Sequence, residues 1–410
     1  MRDEIKILHT ADWHLGKKLE QFSRLEEQRQ FVEEIISIAE EEEVDIVLVA
    51  GDLFDQFSPS TEAIELLYNA LKRLSNRGQR PVIAIAGNHD SPDRIEVSDP
   101  LAKACGILMI GHPHVEVDLV DNGDKWRISK SAPGFLEIEW DHISVPLRLI
   151  HTPYVNEYRI KTFLGVEDVS TEMRQYLAKD WNHLAQTFCD ESGVNILMTH
   201  LFVMERGSTM TEEPEGEKPI VIGNAAVVYS DNLPDNIQYA ALGHLHRYQH
   251  IKGQSYPIVY SSSPLAYSFA EAGQQKQVVL IEARPQQDVV VRPRALSSGK
   301  ILHRKRFSDI DKCVEWLESN PDTLVELTIQ SDDYLTAQDR KRLYNAHRGI
   351  VTLVPDVKLA GQNTDSAKST LRLDQSMNTL FAQFFEYKIG QRPSKDIMEV
   401  FSELLNDDAV

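Results

Sequence analysis

Val44–Asp52, VDIVLVAGD, is an apolar, β-branched run of strand length that halts at a glycine and a carboxylate, the pattern of a parallel strand buried on both faces. Four more stretches repeat it: IKILHTADWH, PVIAIAGNHD, VNILMTH and YAALGHLH, each an apolar run that ends in Asp, His or Asn. In an open α/β sheet the strand ends and the loops after them line the ligand crevice. The pattern therefore predicts an α/β fold in which Asp12, His14, Asp52, Asn88, His89, His200, His244 and His246 face one another across a small volume.

Carboxylate, imidazole and amide donors together suit Mn or Zn and are too nitrogen-rich for Mg or Ca alone. Eight candidates exceed the coordination of one ion, so two divalent ions sharing Asp52 is the economical reading. Paired ions of this kind sit about 3.5–4 Å apart and stabilise the attacking and leaving oxygens of a displacement at phosphorus.

With ADWHLG, AGDLFD, GNHD, a lone TH and GHLH in that order, the chain resembles the calcineurin-type metallophosphoesterase superfamily. LHTADWHLG, VAGDLFD, AGNHDS, YAALGHLHR and SSPLAYSF are similar, within it, to the nuclease subunits of bacterial SbcCD-type complexes and their Mre-type break-repair relatives. The resemblance implies a layered β-sandwich metallophosphoesterase core flanked by helices, a small α/β capping domain and a C-terminal helical tail. It implies one ion held by Asp12, His14, Asp52 and His246 and another by Asp52, Asn88, His200 and His244, with Mn as the metal.

His89 matches the family's catalytic histidine that is not a ligand, and Asp90 is expected to orient a ligand rather than bind metal. Asp55 departs from archaeal and eukaryotic relatives, which carry a second catalytic histidine there; it is either a partner of the ligands or a surface acid. Arg247 is a phosphate contact or a solvated side chain. The implied activity is 3'–5' double-strand exonuclease and single-strand endonuclease action in DNA repair, recombination and replication. The implied assembly is a homodimer within a heterotetramer with an SMC-like coiled-coil ATPase, SbcC.

At 410 residues one core is unexpected. The layout predicts a metallophosphoesterase domain over 1–275, a capping or DNA-binding domain with its basic linker over 276–355, and a helical partner-docking segment over 370–410. Cys105, Cys189 and Cys313 are odd in number and far apart, which argues against a disulfide framework and for a reduced, cytoplasmic protein. No apolar run reaches membrane-spanning length.

A net charge of −20 is unusual for a DNA-binding protein, because affinity for DNA comes largely from phosphate neutralisation. Two divalent ions would restore positive charge where the phosphate sits. The basic stretch from Arg284 to Arg306 holds one acid, Asp288, and makes Arg292, Arg294, Lys300, Arg304, Lys305 and Arg306 candidates for facing DNA; a solvated linker is the other reading.

Leu25 to Glu43 and Thr61 to Asn76 carry apolar residues at helical spacing and read as crossover helices. Asp118 to Pro153 alternates like antiparallel strands, and Ser170 to Phe188 is helical. His112 and His114 in GHPH copy the later GHLH but lack its context, and His9, His151, His183 and His250 read as surface or satisfied structural histidines. Met204 to Pro219 is an acidic loop.

Beyond Lys300 a βαβαβ unit follows, its helices opened by Ser308 with Asp311 and by Thr336 with Asp339. After a polar linker, Leu380, Phe381, Phe384, Phe385, Val400 and Phe401 form apolar helix faces that either pack together or dock on another chain. Two further function classes stay open: a small-molecule metallophosphoesterase acting on nucleotides, which suits the acidic charge, and a non-catalytic DNA-end tether.

Overall fold

The computed structural model describes residues 1–97, 99–123, 125–155, 169–208, 227–331 and 335–357, with 380–382, 385, 393, 397–398 and 401 in the tail. The ligand-bearing strands divide between two sheets rather than forming one open sheet. In the first, Ile5–Thr10 lies between Ile46–Val49, which is parallel to it, and Gln277–Ala283, which is antiparallel. The order runs Val290–Ala295, Gln277–Ala283, Ile5–Thr10, Ile46–Val49, Val82–Ile85, Ile107–Ile110. The second runs Gln249–Ile251, Ile258–Tyr260, Tyr239–Leu242, Val194–Thr199, Leu147–Thr152, Phe135–Trp140, Trp126–Ala132.

Side chains alternate across each strand, and that alternation builds the layers. Ile5, Ile7, Ile46, Leu48, Ile83 and Ile85 of the first sheet meet Leu136, Ile138, Leu149, Ile196 and Met198 of the second in one core. The opposite residues, Leu8, Val47, Val49 and Val82, pack against Phe31, Ile35, Leu67 and Leu71 of the helices Leu25–Glu41 and Thr61–Leu74. On the outer face of the second sheet, Ile150, Leu197 and Leu242 meet Leu177 and Trp181 of the helix Val169–Phe188. Each large aliphatic or aromatic side chain buried this way contributes about 1.5–3 kcal/mol, and the result is a sandwich with helices on both outer faces.

The first sheet extends past residue 275, where the sequence placed a domain boundary, because Gln277–Ala283 and Val290–Ala295 pair onto it. These strands end in no ligand, and the second is basic and exposed, so nothing in the sequence marked them as part of the first sheet. Beyond them Leu302–Phe307, Leu324–Ser331 and Ile350–Val357 form a three-stranded sheet with the helices Ile310–Glu318 and Ala337–Ala346. It has its own core of Cys313, Leu317, Val325, Leu327, Leu343 and Ile350. Thr336 caps its helix as expected, but the earlier helix is capped by Asp309, one residue after the expected Ser308, with Asp309 accepting from the N–H groups of Asp311 and Lys312. Both residue types cap well, and the strand runs on to Phe307.

A second compact unit comprises residues 332–334 and 357–410. Within it the Phe381 ring stacks on Phe401 at 3.8 Å, and Phe385 lies 5.8 Å from Phe381. Leu380, Phe381, Phe385 and Phe401 are half-buried; Phe384 and Val400 lie outside the described residues, as do the polar linker and most of the acidic loop. Among the described residues no helix is long and apolar enough to cross a membrane, and the three cysteines are free.

Candidate metal centre

The parallel strands of both sheets end on the same side. Asp12, Asp52 and Asn88 follow Ile5–Thr10, Ile46–Val49 and Val82–Ile85 of one sheet, and His200 and His244 follow Val194–Thr199 and Tyr239–Leu242 of the other. The loops interlock through the backbone: Asp12 N–H donates to the Gly51 carbonyl at 2.9 Å and His14 N–H to the Asp52 carbonyl at 3.0 Å. Asp12, His14, Asp52 and His244 have φ of +56°, +43°, +50° and +104°, conformations that L-residues adopt at a cost and that cluster at functional sites.

All seven predicted ligands meet here. His14 Nε2 lies 2.9 Å from His246 Nε2 and 3.5 Å from Asp52 Oδ2. The same Asp52 oxygen is 3.3 Å from His200 Nε2, so Asp52 stands between two groups of donors. His200 Nε2 and His244 Nδ1 both approach Asn88 Oδ1, at 3.1 and 3.0 Å. Asp12 accepts from the His244 backbone N–H at 2.9 Å. Asp12, His14 and His200 have no solvent exposure.

The electrostatics of this cluster call for cations. Burial pushes the Asp12 carboxyl up to about 6, against the pull of His200 and His246 and with Asp52 adding to the rise. Burial also favours protonation of Asp52, but His200, His14 and His89 outweigh it and hold that carboxyl well below its usual range. Burial drives His14 well down and His244 down to about 3, keeping both neutral with a lone pair to give. Burial lowers His200 too, yet Asp52 and Asp12 prevail and raise it to about 9, so binding of a metal ion there would displace a proton from His200. Two imidazole nitrogens facing each other at 2.9 Å, beside two buried carboxylates, fit a pair of divalent ions.

The glycines before the ligands are needed for close approach. A Cβ on Gly243 would fall 1.8 Å from the Ala50 carbonyl oxygen, and one on Gly87 would fall 2.1 Å from Asp52 Oδ1. Gly243→Ala is therefore expected to cost about 1–3 kcal/mol or more through overpacking and to weaken metal binding. Thermal melts in EDTA and in Mn read both effects, and wild-type behaviour in each would contradict the close-packing account.

His89 sits apart in its bonding. Its backbone N–H donates to Asp52 Oδ1 at 2.8 Å, and its Nδ1 donates to the Asp55 carbonyl at 2.7 Å, leaving Nε2 free of that bond. The Asp55 carboxylate is 3.4 Å from Lys17 Nζ and 3.9 Å from His14 Nδ1, which itself makes no hydrogen bond. Asp90 accepts from the backbone N–H groups of Leu53, Phe54 and Gly87 at 2.8–3.0 Å and so ties two ligand loops together. Burial, then the Asp52 charge, raises its carboxyl to about 6.

Other predicted residues lie elsewhere. Arg247 is exposed. Arg292 pairs with Glu42 and Glu282 at 3.0 and 2.8 Å, Arg294 with Glu41 at 3.5 Å, Arg306 with Asp356 at 3.8 Å, and Arg304 with Glu326. Lys305 lies over the Trp316 ring, and Lys300 donates its backbone N–H to Glu27 at 2.6 Å. His112 bonds Asp93 at 2.7 Å and His114 bonds Tyr176 at 3.0 Å. His151 is not the satisfied histidine expected: it is 1% exposed, and neither ring nitrogen has a hydrogen-bond partner.

Sequence reasoning missed the residues that brace the ligands. Gln28 donates to the His14 carbonyl at 2.9 Å and accepts from Gly16 N–H at 2.9 Å; a polar residue three before Phe31 on the inward helix face was its signal. Tyr267 donates its hydroxyl to the Trp13 carbonyl, and Glu271 approaches His246. No spacing in the sequence marks either.

Residues 5–248 match the calcineurin-like phosphoesterase family. The chain is 34% identical to the SbcD component of the SbcCD nuclease of Bacillus subtilis (strain 168), over 98% of this chain and 97% of that one. Among solved structures it is similar to a dimetal phosphatase from Danio rerio, at 12% identity, TM-score 0.37, over 70% of this chain and 98% of that one. A similar likeness joins it to TT1561 of Thermus thermophilus, at 10% identity, TM-score 0.36, over 68% and 98%. Family match and close relative agree with the convergent ligands: the chain belongs to the calcineurin-like phosphoesterases, in their SbcD-type nuclease branch, and is a metal-dependent hydrolase of phosphodiester bonds.

Proposed function

We propose that this chain is the nuclease subunit of a DNA-processing complex, cutting double-stranded DNA from 3' to 5' as an exonuclease and single-stranded DNA as an endonuclease. The observation that carries this is the meeting of seven donor residues, Asp52 among them, with His89 beside them, bonded through Nδ1 to a carbonyl. Asp12, His14, Asp52 and His246 would hold one ion and Asp52, Asn88, His200 and His244 the other, with Mn favoured by the mixed nitrogen and oxygen donors. Bound there, the ions supply Lewis-acid polarisation of the phosphate and a water of lowered pKa.

The chain's own residues do the rest. Asp52 fixes His89 through the backbone, and the Asp55 carbonyl keeps a proton on Nδ1, so that Nε2 is the nitrogen that, in the imidazolium form of the ring, gives its proton to the leaving oxygen and is left with a lone pair. Asp90 keeps the loops of Asp52 and Asn88 in register. The arginines from 292 to 306 form surface pairs with acids, each about half or more exposed; exposed pairs are weak, and phosphates can take over these arginines.

A homodimer within a heterotetramer with an SMC-like coiled-coil ATPase, acting in repair and recombination in the cytoplasm, completes the reading. Val97 and Leu101 on two short helices are 82% and 81% exposed, apolar surface that a second copy would cover. The relative's name places it in a two-part complex.

The test is Mn-dependent cleavage of end-labelled duplex and single-stranded DNA, with EDTA as control and bis(p-nitrophenyl) phosphate alongside. DNA cleavage that EDTA abolishes is expected. Turnover of the small ester with intact DNA, even after the ATPase partner is added, would overturn the DNA reading in favour of a small-molecule phosphoesterase.

A further inference from the structure

The segment after the last ligand strand, SSPLAYSFAEAGQQK, wraps around one carboxylate. Glu271 is 1% exposed, and its Oε1 accepts from the backbone N–H groups of Tyr267 and Ser268 at 3.1 Å each and from the Ser268 hydroxyl at 3.2 Å. That same oxygen lies 3.5 Å from His246 Nδ1. The other oxygen takes the Lys276 ammonium. Lys276 is 7% exposed and also donates to the His246 carbonyl at 2.7 Å and to Ser263 Oγ at 3.0 Å.

One buried ion pair thus reaches one residue twice: Glu271 stands beside the ring at ion-pair distance from Nδ1, and Lys276 bonds the backbone carbonyl. The ring beside Glu271 turns its other nitrogen, Nε2, to within 2.9 Å of His14 Nε2. Burying an ion pair costs desolvation that its attraction barely offsets, so such a pair is a poor device for stability alone. It is a good device for orientation: a carboxylate on the far nitrogen of a ligating histidine fixes the tautomer and makes the near nitrogen a better donor.

We propose that Glu271 and Lys276 are positioning residues for His246, aiming its Nε2 lone pair into the metal centre and selectively strengthening the ion that His246 holds. The inference rests on the reading of His246 as a ligand of one ion only. The pair bonds and approaches His246 itself, so its effect falls first on the ion that His246 holds.

The test is Mn titration of the full-length chain by calorimetry, paired with low-temperature electron paramagnetic resonance. The wild type is expected to bind two ions and to give the signal of a coupled Mn pair. Glu271→Gln is expected to bind one ion as the wild type does and the other about ten- to hundred-fold more weakly, showing the six-line pattern of an isolated Mn when only the stronger site is filled. Melting in EDTA separates this from general damage. Should the single variant not fold, Glu271→Gln with Lys276→Met removes both charges and takes the same titration.

A folded variant that keeps both affinities, or loses both equally, overturns the inference. Wild-type chain that binds two ions without cutting DNA, even with the ATPase partner added, defeats the nuclease reading and leaves this one standing. Wild type that binds fewer than two defeats this one.

Discussion

Replacing His89 by Ala is expected to lower kcat for Mn-dependent DNA cleavage by about 10²–10⁴-fold, the usual contribution of a placed general acid, while both ions stay bound. The geometry leaves a sharp alternative. A ligand atom of His89 comes within 4.8 Å of ligand atoms of His14 and Asp52, close enough for His89 to be a ligand instead. Its bonding argues otherwise: the ring is pinned through Nδ1 to the Asp55 carbonyl, and the other seven donors suffice for the two proposed ion sites. Mn calorimetry on His89→Ala decides the matter, since loss of an ion together with activity would make His89 a ligand.

Asp52→Asn is expected to remove activity altogether, because the proposed site gives this one carboxylate to both ions and it also holds the His89 backbone. Asp52 Oδ2 faces His14 and His200 at 3.5 and 3.3 Å, and Oδ1 accepts the His89 backbone N–H at 2.8 Å. Binding of a ligand at 100 times its Kd stabilises a fold by about 2.7 kcal/mol, so Mn should raise the wild-type Tm measurably and leave the Asp52→Asn Tm nearly where EDTA sets it. A full Mn-dependent rise in the variant would show that Asp52 is not the bridge. The two variants are complementary: one separates catalysis from metal, the other removes both together.

The convergence of these side chains was legible because each follows an apolar run of strand length that reads as a buried strand. Asp12, Asp52, Asn88, His200 and His244 were placed by that rule alone, whichever sheet their strands joined. That the strands fall into two facing sheets was not legible from the runs, since a strand buried between sheet and helix reads like one buried between two sheets. Gln277–Ala283 and Val290–Ala295 escaped for the opposite reason, as strands that deliver no ligand. Glu271 escaped because His246, far earlier in the chain, meets it only after the chain has folded, and the nearby Lys276 alone marks no site. His151 shows a limit of another kind: its burial follows from its strand, but its two unpartnered nitrogens follow only from what surrounds it.

The placement of Ile5–Thr10 between Ile46–Val49 and Gln277–Ala283 also sets how long that strand keeps an open edge during synthesis. One neighbour leaves the ribosome soon after the strand does, but the other follows only after more than half of the chain has been made. At about 5–20 residues per second that wait lasts roughly tens of seconds, during which a hydrophobic strand presents an open edge able to pair wrongly. His200, His244 and His246 arrive within the same interval, so the nascent chain holds Asp12, His14, Asp52 and Asn88 without the donors that complete either ion site. The edge of Ile5–Thr10 is covered when Gln277–Ala283 pairs with it, and Val290–Ala295 then takes the outermost place in the sheet.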